Sequence, residues 1–175
     1  MLAKRVITTL TFNQGVLFRT RYFEPDYRYT KSFIDTWSVD EIIILDISRK
    51  YNNEIKKKFI NLVRKFSENS FVPLTIGGKI KTLKDVSDLM NSGAYKVSIK
   101  TKALQDPSFI SEVSSRYGSQ AVVISIDVKK KAKNMRYLVI MGVSQLVFHH
   151  SNGQKNVKKW EQVKYLLHPL IEMVF

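Results

Sequence analysis

The chain has 175 residues, 44% of them hydrophobic, and 29 lysines and arginines against 15 acidic residues leave a formal charge of +14. With no cysteine there is no disulfide framework and no thiolate chemistry, and His149, His150 and His168 form no convincing zinc set. No apolar run is long enough to span a membrane and residues 1–10 lack a signal-peptide core, so the composition reads as that of a cytoplasmic protein, a single domain over residues 1–175.

Arg5 to Leu10 can form a first strand, and Glu41 to Ile47 (EIIILDI) is a strand of the buried type. Ile55, Phe59, Leu62, Val63 and Phe66 then set an apolar stripe on a lysine-rich helix. Val72 to Ile76 is a short β-branched run, and the Gly77-Gly78 pair behind it lets the backbone approach a ligand at that strand's carboxyl end. Thr82 and Asp85 make a capping box ahead of Leu83, Val86, Leu89 and Met90, and Gly93 ends that helix. Lys96 to Ile99 is the next strand. Asp106-Pro107 opens another helix as N-cap and N1, with Phe109, Ile110 and Val113 on its apolar face and Tyr117-Gly118 as its stop. A fifth strand covers 121–128, and a last helix is capped by Asn156, with Val157, Trp160, Val163 and Leu167 at helical intervals. Alternation of this kind predicts an α/β fold with a parallel sheet and helices outside it. The order alone fits both a barrel and a doubly wound sheet.

The stretches MLAKRVI at the start, DEIIILDIS at 40–48, VPLTIGGKIKT at 72–82, SGAYKVSIKT at 92–101 and YGSQAVVISIDVKK at 117–130 decide between them. In order and spacing the chain resembles the cyclase subunit of imidazole glycerol phosphate synthase, a (β/α)8 barrel. The resemblance implies ring closure on a small phosphorylated substrate with ammonia supplied by a glutaminase (glutamine amidotransferase) subunit, and no metal or redox cofactor.

That family uses two aspartates as an acid/base pair across the barrel mouth, because ring closure and release of the leaving fragment move protons on opposite sides of the substrate. The fifth-strand member corresponds to Asp127. The first-strand position is Thr11, which cannot act as a carboxylate base near neutral pH. The family's phosphate contacts map onto Gly77, Gly78, Lys79, Lys100 and Thr101, where Lys79 replaces a third glycine and Lys100 an asparagine. Two readings of these lysines fit: an anion site rebuilt with ammonium groups, or drift in a lysine-rich protein.

At the amino ends of the strands the family carries a charged ring that gates ammonia entering from the glutaminase. Arg5, Glu41 and Lys96 fall on three of its positions, and Glu172 is the candidate for the fourth. The same charges could simply close the barrel. Thr11 points to the cyclase-like paralogues associated with surface-polysaccharide genes, in which ammonia is thought to serve a sugar amidotransferase. The run FNQGVLFRTRYFEPDYRYT from Phe12 to Thr30 resembles that branch's first active-site loop, with Arg19 placed to meet substrate, or else it packs over the mouth.

A complete (β/α)8 barrel takes about 250 residues, so the expectation is a barrel that stops after about five βα units, the resemblance weakening past Asn134. A non-catalytic remnant is then an alternative. Nucleic-acid binding is another, suggested by the lysines at 56–58 and 129–133, although Lys56, Lys57 and Lys58 would occupy the solvent face of a helix and no recognised nucleic-acid motif occurs.

Overall fold

A computed structural model describes residues 5–21, 24–28, 39–129, 137–141, 144–148 and 164–170. The chain divides into two units, residues 1–98 and 99–175.

In the first unit the order is β1 (Ile7–Asn13), β2 (Val16–Arg21), β3 (Glu24–Arg28), β4 (Glu41–Asp46), α1 (Asn53–Asn69), β5 (Leu74–Gly77), α2 (Leu83–Asn91) and β6 (Lys96–Ile99), whose last residue opens the second unit. The strands lie in the order β6-β5-β4-β1-β2-β3. Pairing is parallel from β6 through β1 and antiparallel from β1 through β3. In β4, Ile42, Ile43 and Ile44 are fully buried, as a strand covered on both faces requires. One face of β1 packs on α1: Phe12 meets Phe59 at a centroid distance of 5.0 Å, and Ile55, Phe59 and Val63 form the buried stripe of that helix.

Two polar devices fix α2. The Thr82 hydroxyl accepts from Asp85 N–H while the Asp85 carboxylate accepts from Thr82 N–H, the reciprocal box expected from the sequence. Lys56 of α1 reaches Asp85 at 2.7 Å and Asp88 at 2.9 Å, clamping the two helices together. Burial disfavours the Lys56 ammonium, but the hydrogen bonds and charges of the two aspartates outweigh it and hold its pKa well above the usual lysine range. Gly93, at φ +101, ends the helix where a Cβ would strike Ser67.

The second unit holds α3 (Thr101–Gln105), α4 (Ser108–Tyr117), a 3-10 turn at Ser119–Ala121, β7 (Val122–Lys129), β8 (Tyr137–Met141), β9 (Ser144–Phe148) and β10 (Lys164–Leu170). β7 pairs with β10 in parallel, and β8 with β9 as a hairpin.

Two expectations need correction. The run from Phe12 to Thr30 is not an open loop over its described residues, because β1 continues to Asn13 and turns back through Gln14 and Gly15 into the meander β1-β2-β3. Both turn residues have positive φ, 52° and 96°, the backbone twist a two-residue hairpin demands. The C-terminal helix does not include Lys164–Leu170, which is a strand. Short apolar runs are ambiguous by periodicity, and here the β7 ladder decides; Asn156 and the rest of that expected helix lie outside the described residues. Asp106 closes α3 and, as expected, also opens α4: Pro107 after it is already helical, and the Asp106 carboxylate accepts from Phe109 N–H as well as binding Lys102 and the Ser108 hydroxyl.

Replacing Thr82 with Ala removes one half of the capping box, and we expect a loss of about 1 kcal/mol, read in urea denaturation as a lower midpoint at unchanged slope.

Candidate functional site

Parallel pairing brings the amino ends of β1, β4, β5 and β6 to one edge of the first unit, and there Arg5, Glu41 and Lys96 meet. Glu41, the first residue of β4, is 4% exposed, as is Lys96, the first residue of β6. The Lys96 ammonium donates to both Glu41 carboxylate oxygens at 2.7 Å, and the Thr75 hydroxyl of β5 donates to Oε1. Arg5, just ahead of β1, lies 3.4 Å from Oε2 while donating to the Asp40 carbonyl oxygen at 3.1 Å. Val6 N–H donates to the Asp40 carboxylate, which ties the segment before β1 to the entry of β4. Burial alone would raise the Glu41 pKa. The hydrogen bonds from Lys96 and Thr75 and the charges of Lys96 and Arg5 overcome it and hold the carboxyl below the usual glutamate range.

The carboxyl ends of the same strands carry a different arrangement. Thr11 is buried, and its hydroxyl donates to the Phe18 carbonyl oxygen at 2.8 Å, joining β1 to β2. Gly77 and Gly78 end β5 and begin the turn toward α2. A Cβ on Gly77 would lie 2.8 Å from Leu45 Cδ2 and from the Ser98 carbonyl oxygen, and one on Gly78 would lie 2.7 Å from the Asp46 backbone nitrogen. The close approach these glycines allow is therefore, in the structure, to neighbouring chain. Gly78 (φ +96°) is followed by Lys79 at φ +58°, a left-handed conformation that only glycine adopts freely.

Asp46 ends β4 and is 4% exposed. Its Oδ1 accepts from Ser48 N–H at 2.9 Å, and Oδ2 has no hydrogen-bond partner among the described residues. Burial raises its pKa; the Ser48 hydrogen bonds and the Lys79 charge oppose the rise without cancelling it. Ser48 Oγ in turn accepts from Gln14 N–H at 3.0 Å, and Ile47 N–H donates to the Phe12 carbonyl oxygen, so the hairpin turn is fastened to the loop after β4.

The remaining expected site residues fall elsewhere. Arg19 lies in β2 opposite Tyr27, Lys100 is the N-cap of α3 and Thr101 its first residue, and Asp127 stands in β7 opposite His168 of β10. Lys79 belongs to the first unit, and Lys100, Thr101 and Asp127 to the second. Glu172 lies outside the described residues. Sequence reasoning missed Thr75 and Asp46. Both had a usable signal: Thr75 alternates with Gly77 along β5, and Asp46 interrupts an otherwise apolar strand. Among the described residues no cluster of metal-ligating side chains occurs.

Comparison with known proteins gives this geometry a setting. The family described as "Histidine biosynthesis protein", whose fold is the (β/α)8 barrel, matches residues 9–168. The chain is similar to the imidazole glycerol phosphate synthase subunit HisF of Dictyoglomus thermophilum, 37% identical over 147 residues, which is 81% of this chain and 58% of that protein. The HisF subunit of Chlorobium phaeobacteroides is 36% identical over 171 residues, 94% of this chain and 62% of its own length. A Campylobacter jejuni protein carrying the provisional name imidazole glycerol phosphate synthase subunit hisF2 is 40% identical over 137 residues, 75% of this chain and 54% of its own length. The chain thus spans little more than half the length of the curated relatives it matches.

Substituting Lys96 with Met leaves the Glu41 carboxylate buried with Arg5 as its remaining cation, and we expect a loss of about 3–5 kcal/mol at neutral pH. In the unsubstituted chain the depressed Glu41 pKa contributes stability that is present above the unfolded value of 4.5 and lost as pH falls through the lower folded value. The variant should show the opposite slope, recovering part of its loss on acidification, when urea midpoints are measured from pH 7 to pH 4.

Proposed function

The chain belongs to the histidine biosynthesis protein family, and we propose that it acts there as a cyclase-subunit-like protein of glutamine-dependent imidazole glycerol phosphate synthase, passing ammonia from a glutaminase partner toward a sugar amidation instead of closing the imidazole ring. The observation that carries the reading is the Arg5–Glu41–Lys96 cluster with Thr75 at the amino ends of the strands: charges of both signs, with Glu41, Lys96 and Thr75 buried and Arg5 exposed beside them. Large apolar side chains surround that end. Val6 is 59% exposed, Ile7 43%, Phe71 84% and Tyr95 62%, each at or just before the start of a strand. An apolar rim about a satisfied charged centre suits a docking surface for a partner whose product enters there.

Thr11 supports the second half of the reading. Its hydroxyl is committed to the Phe18 carbonyl, and a hydroxyl does not serve as a base near neutral pH. Asp127 would keep the role of the single remaining carboxylate. We further read Gly77, Gly78 and Lys79, with Arg19, as contacts to a phosphorylated substrate. No helix among the described residues is long and apolar enough to cross a membrane, which accords with a cytoplasmic setting.

Two experiments test this. A purified glutaminase subunit of the family should be retained by the immobilised chain, with glutamine hydrolysis stimulated, and Glu41→Gln should change the coupling more than the retention; failure to retain or stimulate any such subunit overturns the channelling role. Supplied with ammonia and the histidine-pathway nucleotide, the chain should form negligible imidazole glycerol phosphate. Thr11→Asp should not rescue it, since the new carboxylate would face the Phe18 carbonyl oxygen that Thr11 now bonds. Efficient turnover by the unsubstituted chain would sink the proposal that ring closure is lost.

A further inference from the structure

We propose that Asp46 couples anion binding at the Gly78–Lys79 turn to the uptake of a proton, its carboxylate and the bound anion competing for the Lys79 charge. The inference rests on the reading of Gly77, Gly78 and Lys79 as an anion-binding turn. It adds a residue to that site and a condition on when the site is strong.

Geometry carries the argument. Gly78 packs so closely on β4 that a Cβ would sit 2.7 Å from the Asp46 nitrogen, which seats the turn directly on Asp46. Lys79 follows in a left-handed conformation at φ +58°, a placement costing a non-glycine residue about 1–2 kcal/mol. Such strain persists where the surrounding structure over-determines it, and it tends to gather at ligand sites. Asp46 is held from one side only: Oδ1 is fixed by Ser48, itself fixed by Gln14 of the hairpin, while buried Oδ2 is left without a hydrogen-bond partner among the described residues. A buried carboxylate in that position needs either a nearby cation or a proton. Lys79 is the cation whose charge acts on it.

When an oxyanion takes up the Lys79 charge, that support for ionised Asp46 weakens and the proton becomes the alternative. By reciprocity, a protonated Asp46 leaves Lys79 fully available and the anion binds more tightly. The other charged and titratable groups around the turn do not supply this behaviour. Tyr51, Lys56, Asp85 and Asp88 line the small pocket that Gly78 and Lys79 share with α1 and α2. Lys56 is locked between Asp85 and Asp88, Asp85 is held below the usual carboxylate range, and Tyr51 is pushed above the usual phenol range. The ligand class is a small dianionic oxyanion of the phosphate-monoester type.

Sulfate is the probe, because its charge is constant over the range used. With 13C-labelled aspartate, sulfate affinity and the Asp46 carboxyl midpoint are followed together by NMR from pH 4 to pH 8. Sulfate should bind roughly five- to tenfold more tightly on the acid side of the Asp46 midpoint, the size expected for a dianion about 6–8 Å from a unit charge at an effective dielectric near that of water, ~80. Saturating sulfate should move that midpoint upward by the logarithm of the same factor. Asp46→Asn should bind at the tight level at every pH, and Lys79→Ala should abolish binding and raise the Asp46 midpoint without sulfate. If sulfate binds through Lys79 but its affinity is flat across the Asp46 titration, the coupling is wrong and the anion site stands. If sulfate does not bind, or binds equally after Lys79→Ala, the anion-site reading itself fails. Should Asp46→Asn not fold, the carboxyl titration of the unsubstituted chain still decides between coupling and none.

Discussion

A carboxylate buried at the foot of a strand has to find its cations, and Glu41 imposes that requirement on the first unit. Its partners come from three other elements: Lys96 from β6, Thr75 from β5 and Arg5 from the segment ahead of β1. A one-residue slip of any of these strands would carry its contribution to the opposite face of the sheet and strand the charge. The net stability of a buried pair is small, because desolvation consumes most of the attraction, yet the penalty for breaking it is large. The cluster therefore selects register more than it adds strength. Burial of Phe12, Ile42, Ile44 and the α1 stripe supplies the strength from the other face.

At the carboxyl ends the constraint is backbone crowding. Gly77 and Gly78 are required by Leu45, Ser98 and Asp46, which stand where any Cβ would go. Lys79 bears a cost that a glycine there would not. Since Gly78 fixes the path of the chain on one side and buried Ile80 anchors it on the other, the turn cannot relax to relieve Lys79. Thr11 shows how polar groups at this end are committed to local bonds, its hydroxyl serving the hairpin. A change of side chain at such a position alters the hairpin as well as the chemistry.

Much of this was legible in the sequence because local rules and tertiary packing agree there. The strands at 41–46, 74–77 and 96–99 are short apolar runs bounded by clear breakers, and the Thr82–Asp85 box and Gly93 mark α2 at both ends. The charged residues Arg5, Glu41 and Lys96 could be singled out together because a resemblance aligned them, and their convergence follows from parallel pairing. What was not legible depends on contacts distant in sequence. The meander after β1 is held by Leu17, the Gln14–Ser48 bond and the Thr11–Phe18 bond, and tyrosines with arginines in that run gave no warning of strand pairing. Asp46 passed as one more residue of a matching stretch, because nothing local says that one of its oxygens is left without a partner. Lys164–Leu170 carries leucines at spacings that suit either a helix or a strand, and only the neighbouring β7 ladder separates them.

The two ends of the sheet also differ in how freely they can change. At the amino end each polar group answers another, so substituting any one of Glu41, Lys96 and Thr75 exposes the rest to an unpaired burial cost. At the carboxyl end Thr11 makes one hydrogen bond, to a backbone carbonyl, and Lys79 extends from a turn whose path is set by glycine, so a change of either side chain leaves fewer buried charges unpaired than a change at the amino end. On the reading proposed above, a chain can then lose a catalytic carboxylate and alter its anion contacts while its ammonia entrance persists, because the entrance is built from interactions the fold needs in any case. A charged cluster at the amino end is accordingly weak support for ring-closing activity. Evidence on the reaction has to come from the carboxyl end, where the fold leaves the side chains more freedom.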